Sequence, residues 1–402
     1  MIKNSKAAIS SAIVLCYLTL YLTDWWPLKI TGIKGYINFI DLGFVLDMAK
    51  CLNDPNQDVT KHFDGKSCSG YIYGSTLLKT INIFGITNFS QELIGVLLGI
   101  SLIGLLIFAT YSSELSGYAK ILIVSSPGIW LLLERGNIDI VMVLLTALSV
   151  FAFSRNCFYL GLVIVIYATL IKFYTAPLFL LALLFANSKL KKITLILTVI
   201  PTLLIVYSEV SKLGNFPSTW YVSFGVQSIG LWVQLAIQRL IQPDFTMSTS
   251  LLMCIGLCSQ AVVTFGVFKA KFFRSTIQEI AKINQSRENN LQINIYRFFS
   301  LIFVGCYFAG MNYDYRLIFL ALGSIPILSK LPGKERKVFF VLTLLSLWFS
   351  CFFFGIKGIL FVSMQAIGDS AISVLVALLF IGFLGGIRDK AHLAIKKLAN
   401  QA

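Results

Sequence analysis

Apolar and polar positions fall in long blocks along this chain rather than in the tight periods of a soluble domain. Windows of about 15–20 apolar residues recur along its length, joined by short polar stretches. The pattern predicts about twelve spans, near 7–23, 91–110, 119–133, 138–153, 157–171, 175–187, 192–208, 248–268, 293–310, 316–329, 337–355 and 370–386. The expected fold is therefore an all-α, polytopic transmembrane helical bundle, with 1–402 as a single integral membrane domain. Lys3 and Lys6 precede the first apolar stretch and no small-residue cleavage site follows it. It reads as an uncleaved span with its amino end in the cytoplasm. Alternating from there, 24–90 and 209–247 become the two larger extracytoplasmic loops, and 388–402 a basic cytoplasmic tail.

Within the first outer loop, "YINFIDLGFVLDMAKCLNDP" has helical periodicity. At about 100° per residue, Gly43, Asp47 and Lys50 share one face, and Val45, Met48 and Leu52 share the other. Asp41 falls on the apolar side. A second apolar stretch, "SGYIYGSTLLKTINIF", follows. Two amphipathic helices lying along the membrane surface are expected here.

Composition agrees with the pattern. Of 402 residues, 57% are hydrophobic and 13% charged, and the mean hydropathy is +0.82. A soluble protein carries about 25% charged residues. The net charge of +15 follows from the positive-inside bias, since the expected cytoplasmic segments hold about 20 of the 33 Lys and Arg residues. No basic soluble domain is present to hold a nucleic acid, so the lipid bilayer is the expected environment. A bacterial inner (plasma) membrane is the expected location, although an endoplasmic reticulum location reads the same way.

The outer side collects the unusual polar residues. "IWLLLERGNIDIVMVLLTA" sets Glu134, Arg135, Asn137 and Asp139 between two apolar runs. Each charge at a span centre costs about 2.5–3.5 kcal/mol, so these residues are expected in a tight outer turn between two spans. Gly136 as the bend and Asp139 as a cap explain part of the pattern. An outward Arg135 also suits phosphate, which its planar donors grip in pairs. Lys172 in "IKFYTAP" and Arg316 in "NYDYRLIF" repeat that logic, though a lone outer Lys also snorkels to headgroups. Tyr174 and Tyr313 suit a sugar ring or lipid chain, and equally an interfacial aromatic belt; Asp314 stands beside them. Gln227 and Ser228, in "SFGVQSIGLW", suit sugar hydroxyls or an irregular loop. Asp41 reads as a general base held against apolar surface, or as a helix N-cap.

Of the eight cysteines, Cys51 and Cys68 share the first outer loop and can pair in an oxidising compartment. Cys254 and Cys258 stack at helical spacing and read as packing. With His62 and His392 the only histidines, neither a zinc site nor a Ser-His-Asp hydrolase has its parts. No P-loop or dinucleotide fingerprint occurs, so no cofactor is expected.

Four local stretches, in order, resemble motifs of the membrane glycosyltransferases of the GT-C superfamily, most closely glycosyltransferase family 87. They are "FIDLGFVLDMAKCL", "ERGNIDIVMVLL", "TLIKFYTAPLFLLAL" and "VQSIGLWVQLAIQRL"; "NYDYRLIFLA" is similar to a segment opening a late span in such enzymes. The chain departs from the family at Thr175 and Ala176, which separate Tyr174 from Pro177, and at Val226, where Asn is common. The resemblance implies a GT-C type bundle and a polyprenyl-phosphate-linked sugar donor, often mannose. It implies inverting transfer to an acceptor hydroxyl of a glycan or glycolipid on the extracytoplasmic side. Asp41 would be the general base, and Arg135, Lys172 and Arg316 would hold the donor phosphate. Asn137, Asp139, Tyr174, Gln227, Ser228, Tyr313 and Asp314 would line the substrate site, and no metal is implied. Two rivals are an O-antigen-type polymerase or ligase, which tends to carry its large outer loop late in the chain, and a non-enzymatic polyprenyl-lipid or sugar transporter, for which paired halves with broken helices are expected.

Overall fold

The computed structural model describes residues 14, 15, 17, 19, 39–51, 75–111, 113–211, 223–242, 244–286, 290–309, 312–350 and 359–399. Most of the expected first span, 7–23, lies outside them. The described helices run in this order: α1 (Ile40–Cys51), α2 (Ser75–Ile83), α3 (Gln91–Tyr111), α4 (Gly117–Val124), α5 (Pro127–Arg135), α6 (Asp139–Ser154), α7 (Phe158–Ile171) and α8 (Leu178–Phe185). They continue with α9 (Lys189–Val210), α10 (Val226–Leu240), α11 (Thr249–Lys269), α12 (Lys271–Gln285), α13 (Leu291–Phe308), α14 (Ile318–Lys330), α15 (Gly333–Phe349) and α16 (Ile359–Ala399). The described strands are one antiparallel pair, β1 (Ser223–Phe224) and β2 (Asn312–Tyr313), in register Ser223 to Tyr313.

Five described helices are long and apolar enough to cross a membrane: α3, α9 over Lys189–Glu209, α11, α13, and α16 over Ser363–Gly385. Helices α5 and α6 make a sixth candidate if joined, but they bend by 109° at the break between them. These are candidate spans, fewer among the described residues than the twelve expected, and they fit a helical membrane bundle, since a helix satisfies its own backbone where water is absent. The expected spans at 91–110, 192–208, 248–268 and 293–310 coincide with α3, α9, α11 and α13. The expected span 119–133 is instead split into α4 and α5 around Ser125 and Ser126. The expected cytoplasmic connector after residue 269 is largely the helix α12.

The chain divides into two compact units. One comprises Met1–Tyr111 with Ile129–Ser218, the other Ser112–Gly128 with Thr219–Ala402. In the first, α6 packs on α7, α7 on α9, and α1 lies against α2 and α3. In the second, α13 packs on α14, α15 and α12 on α16, and α10 on α11. Its core is aromatic, with Phe298, Phe299, Phe303 and Phe319 sealed. Start signals are local. The hydroxyl of Ser116 accepts from Ala119 N to open α4, and Ser188 and Ser248 cap α9 and α11 in the same way. Buried Arg297 donates to the carbonyls of Ile283, Asn284 and Ser286, closing the carboxyl end of α12.

Candidate functional site

The polar residues of the first unit converge where α1 meets the α5–α6 turn. Phe39, just before α1, is the anchor. Its N–H donates to Glu134 O at 2.9 Å, and its carbonyl accepts from Gln91 Nε2 at 2.8 Å. Its ring is fully buried against two glycines. A Cβ on Gly95 would lie 2.4 Å from that ring, and one on Gly136 would lie 2.9 Å from it. Gly136 also has φ of +57°, the left-handed turn that lets α5 end and α6 begin after so sharp a bend.

This docking carries Asp41, in the first turn of α1, onto the turn. Arg135 grips its carboxylate as a fork: Nε donates to Oδ2 at 2.9 Å, and Nη2 donates to Oδ1. Asn137 Nδ2 donates to the same Oδ2 at 2.5 Å. An ionised carboxylate has about four acceptor positions, so these three bonds leave one. The Asp41 carboxylate is turned to the α5–α6 turn rather than back to its own helix, so the N-cap alternative does not describe it. Asn137 is the local cap instead, its Oδ1 accepting from Asp139 N at 2.9 Å.

Beyond Asn137 the site becomes fully buried. The Asp139 carboxylate accepts from both Lys172 Nζ and Tyr174 OH. Asp139 and Lys172 side chains are 0% and 2% exposed, against 17% and 36% for Asp41 and Arg135. A continuous polar chain therefore runs from the accessible Arg135–Asp41 pair to a sealed Lys172–Asp139 pair. This changes the expected roles. Lys172, expected to hold the donor phosphate from the outer side, has its ammonium on the Asp139 carboxylate of α6. Tyr174 does not present its ring to a sugar, being 3% exposed and bonded to Asp139. Asp139 is the first residue of α6, and the cap position before it is Ile138.

The remaining expected residues belong to the second unit. Ser228 is buried, its hydroxyl donating to Gly225 O at 2.6 Å in the first turn of α10. Gln227 beside it is half-buried. Arg316 is half-buried in the short 3-10 turn Asp314–Leu317. Tyr313 stands in β2 and Asp314 opens that turn; their side chains lie outside the described set. Cys51 is disulfide-bonded, while Cys68, its expected partner, lies outside the described residues. Cys254 and Cys258 carry free thiols on an exposed face of α11 rather than packing inward. Among the described residues no group of three or more His, Cys, Asp or Glu is placed to hold a metal.

One residue escaped the sequence reading. Asp369 is buried in α16, its Oδ2 accepting from Trp232 Nε1 at 3.0 Å, while its Oδ1 has no partner. A nearby network joins Tyr307 OH to Gln260 Oε1 at 2.7 Å and Gln260 Nε2 to Ser373 O at 3.1 Å. The one available signal was an isolated acid at the edge of an apolar window.

No family model matches the chain, and no curated protein or solved structure matches it. The family resemblance accordingly rests on its local motifs.

Proposed function

We propose that the chain is an integral membrane glycosyltransferase that moves a sugar, mannose or another hexose, from a polyprenyl-phosphate donor to an acceptor hydroxyl on the extracytoplasmic side. The observation that supports this best is the forked Arg135–Asp41 pair. Asp41 and Arg135 lie in two of the motifs that resemble family 87, and they meet at the accessible end of the polar chain.

In this reading the acceptor oxygen attacks the anomeric carbon, and the carbon–oxygen bond to the carrier phosphate breaks with its electron pair leaving on phosphate. The acceptor proton passes to the remaining acceptor position on Asp41. Protonation removes the negative charge that holds Arg135. The guanidinium is then released toward the departing phosphate as its charge develops, the moment when such stabilisation counts most. The buried Lys172–Asp139–Tyr174 group holds the turn that carries Arg135 and Asn137. It acts through position, since its charges are already matched.

The test is sugar transfer by purified protein in lipid, with polyprenyl-phosphate-mannose and a panel of acceptors. Wild type is expected to transfer, and Asp41→Asn to lose several orders of magnitude at unchanged donor binding. Equal transfer by both proteins would remove Asp41 from the chemistry.

One observation favours a second reading, a carrier of polyprenyl lipid or sugar. The 109° break between α5 and α6 sets charged groups at an interrupted span, as transporters do. A carrier would move labelled lipid across liposomes without changing it, and would do so in Asp41→Asn as well.

A further inference from the structure

The second unit holds a groove of about 1260 Å³ between α11, α12 and α16. Its walls are apolar, with Leu257, Ala261, Phe265, Phe308 and Leu384 among the lining residues. At one end stand Lys269 and Arg274, both exposed, and no acidic residue is among the described lining. Neither cation has an ion-pair partner among the described residues; Lys269 lies 5.4 Å over the Phe265 ring.

The groove is built by α12, which continues from α11 after Ala270. Thr276, Ile280 and Asn284 are its buried face, while Lys271, Arg274, Gln278 and Lys282 are exposed. That is the layout of a helix lying at a membrane surface with its cations in the headgroup layer. Gly382 and Gly385 on α16 let it approach closely: a Cβ on Gly382 would lie 2.2 Å from Ile280 Cγ2. The length of the groove narrows the occupant. From Leu257 to Lys269 a helix rises about 18 Å, and one bilayer leaflet has about 15 Å of hydrocarbon. The groove thus runs one leaflet deep from a pair of unmatched cations. Lipid-facing surface is apolar across a membrane protein; here a groove between helices coincides with two cations, unpaired among the described residues, at its end.

We propose that this groove is a binding site for an anionic phospholipid of the surrounding leaflet, its phosphate held between Lys269 and Arg274 and an acyl chain laid along α11 and α16. Basic pockets between spans recognise anionic headgroups in this way. The inference rests on the membrane reading and is independent of glycosyl transfer.

The full chain, purified in detergent, would be titrated with phosphatidylglycerol or phosphatidylcholine and its retained lipids counted by native mass spectrometry. Wild type is expected to retain one phosphatidylglycerol in preference to phosphatidylcholine. Lys269→Gln/Arg274→Gln should weaken that binding about thirtyfold, from the loss of two surface cations. Ala281→Trp, which fills the groove and keeps the cations, should weaken it too. Lys189→Gln/Lys192→Gln, two exposed cations that are not among the groove's lining residues, should not. Equal retention of the two lipids, or undiminished binding in both groove variants, would overturn the proposal. In a competition arm with added polyprenyl phosphate, displacement of phosphatidylglycerol by that lipid would overturn it too, and would make the groove a carrier site.

Discussion

Lys172 and Asp139 form an ion pair with both side chains sealed from solvent, at 2% and 0% exposure. Two charges in such a place depend on each other. Removing one leaves the other buried and unmatched, at a cost of about 3–5 kcal/mol, whereas replacing both by apolar residues of similar size is often neutral. Lys172→Ala should therefore unfold at markedly lower temperature in detergent, and Lys172→Met/Asp139→Leu should recover most of the loss. A double variant no more stable than the single one would show that Lys172 does something other than match Asp139.

Arg135 holds Asp41 through two nitrogens in a plane, a geometry that an ammonium group cannot copy. Under the proposed chemistry the same guanidinium stabilises the leaving phosphate. Arg135→Lys should then lower single-turnover transfer by about a hundredfold, the scale seen when one transition-state donor is lost. In an Asp41→Asn background the same change should add little, because the two residues act as a unit. Independent, multiplying losses would break the proposed link between proton transfer and phosphate release.

Gly136 joins the two requirements of the turn. Its φ of +57° is open to glycine at no cost, and its missing side chain leaves room for Phe39. Gly136→Ala should cost about 1–2 kcal/mol from the backbone alone, with the clash against Phe39 added to it. Because Phe39 anchors α1, limited proteolysis should show cleavage near 39–51 rising more than cleavage in α13. Uniform loosening of both regions would place the strain elsewhere.

The parts legible in the sequence were those that one stretch of chain decides by itself. Helices α3, α9, α11 and α13 were expected because each is a long apolar run, strong enough to outweigh Pro201 in α9 and Arg297 in α13. Asp41, Arg135 and Asn137 stood out because each breaks such a run. Their meeting was not legible, since 94 residues separate Asp41 from Arg135 and no spacing rule reaches that far. For the same reason Lys172 was read as facing outward, its partner being on another helix. Helix α12 was missed because its buried positions include Thr276 and Asn284, so its apolar period is disguised. The α4–α5 break was missed because Ser125, Ser126 and Pro127 interrupt the run for only three residues.

Asp369 shows what a misplaced span edge conceals. The apolar window begins at 370, which puts Asp369 in a loop, yet the helix begins at Ile359 and its membrane-length stretch at Ser363. The side chain is then buried, with one oxygen bonded to Trp232 and the other without a partner. A buried acceptor left unmatched costs about 1–3 kcal/mol, more if it is charged. Asp369→Asn keeps an oxygen for Trp232 Nε1 and removes the buried acid, so it should leave thermal stability unchanged or raise it. Asp369→Leu removes the partner of the indole N–H and should lose about 1–3 kcal/mol. Thermal unfolding of the two variants beside wild type decides the matter. If Asp369→Asn is as damaging as Asp369→Leu, the carboxyl group itself is needed there, and the unpartnered oxygen marks a site that binds a proton or a ligand in the working protein.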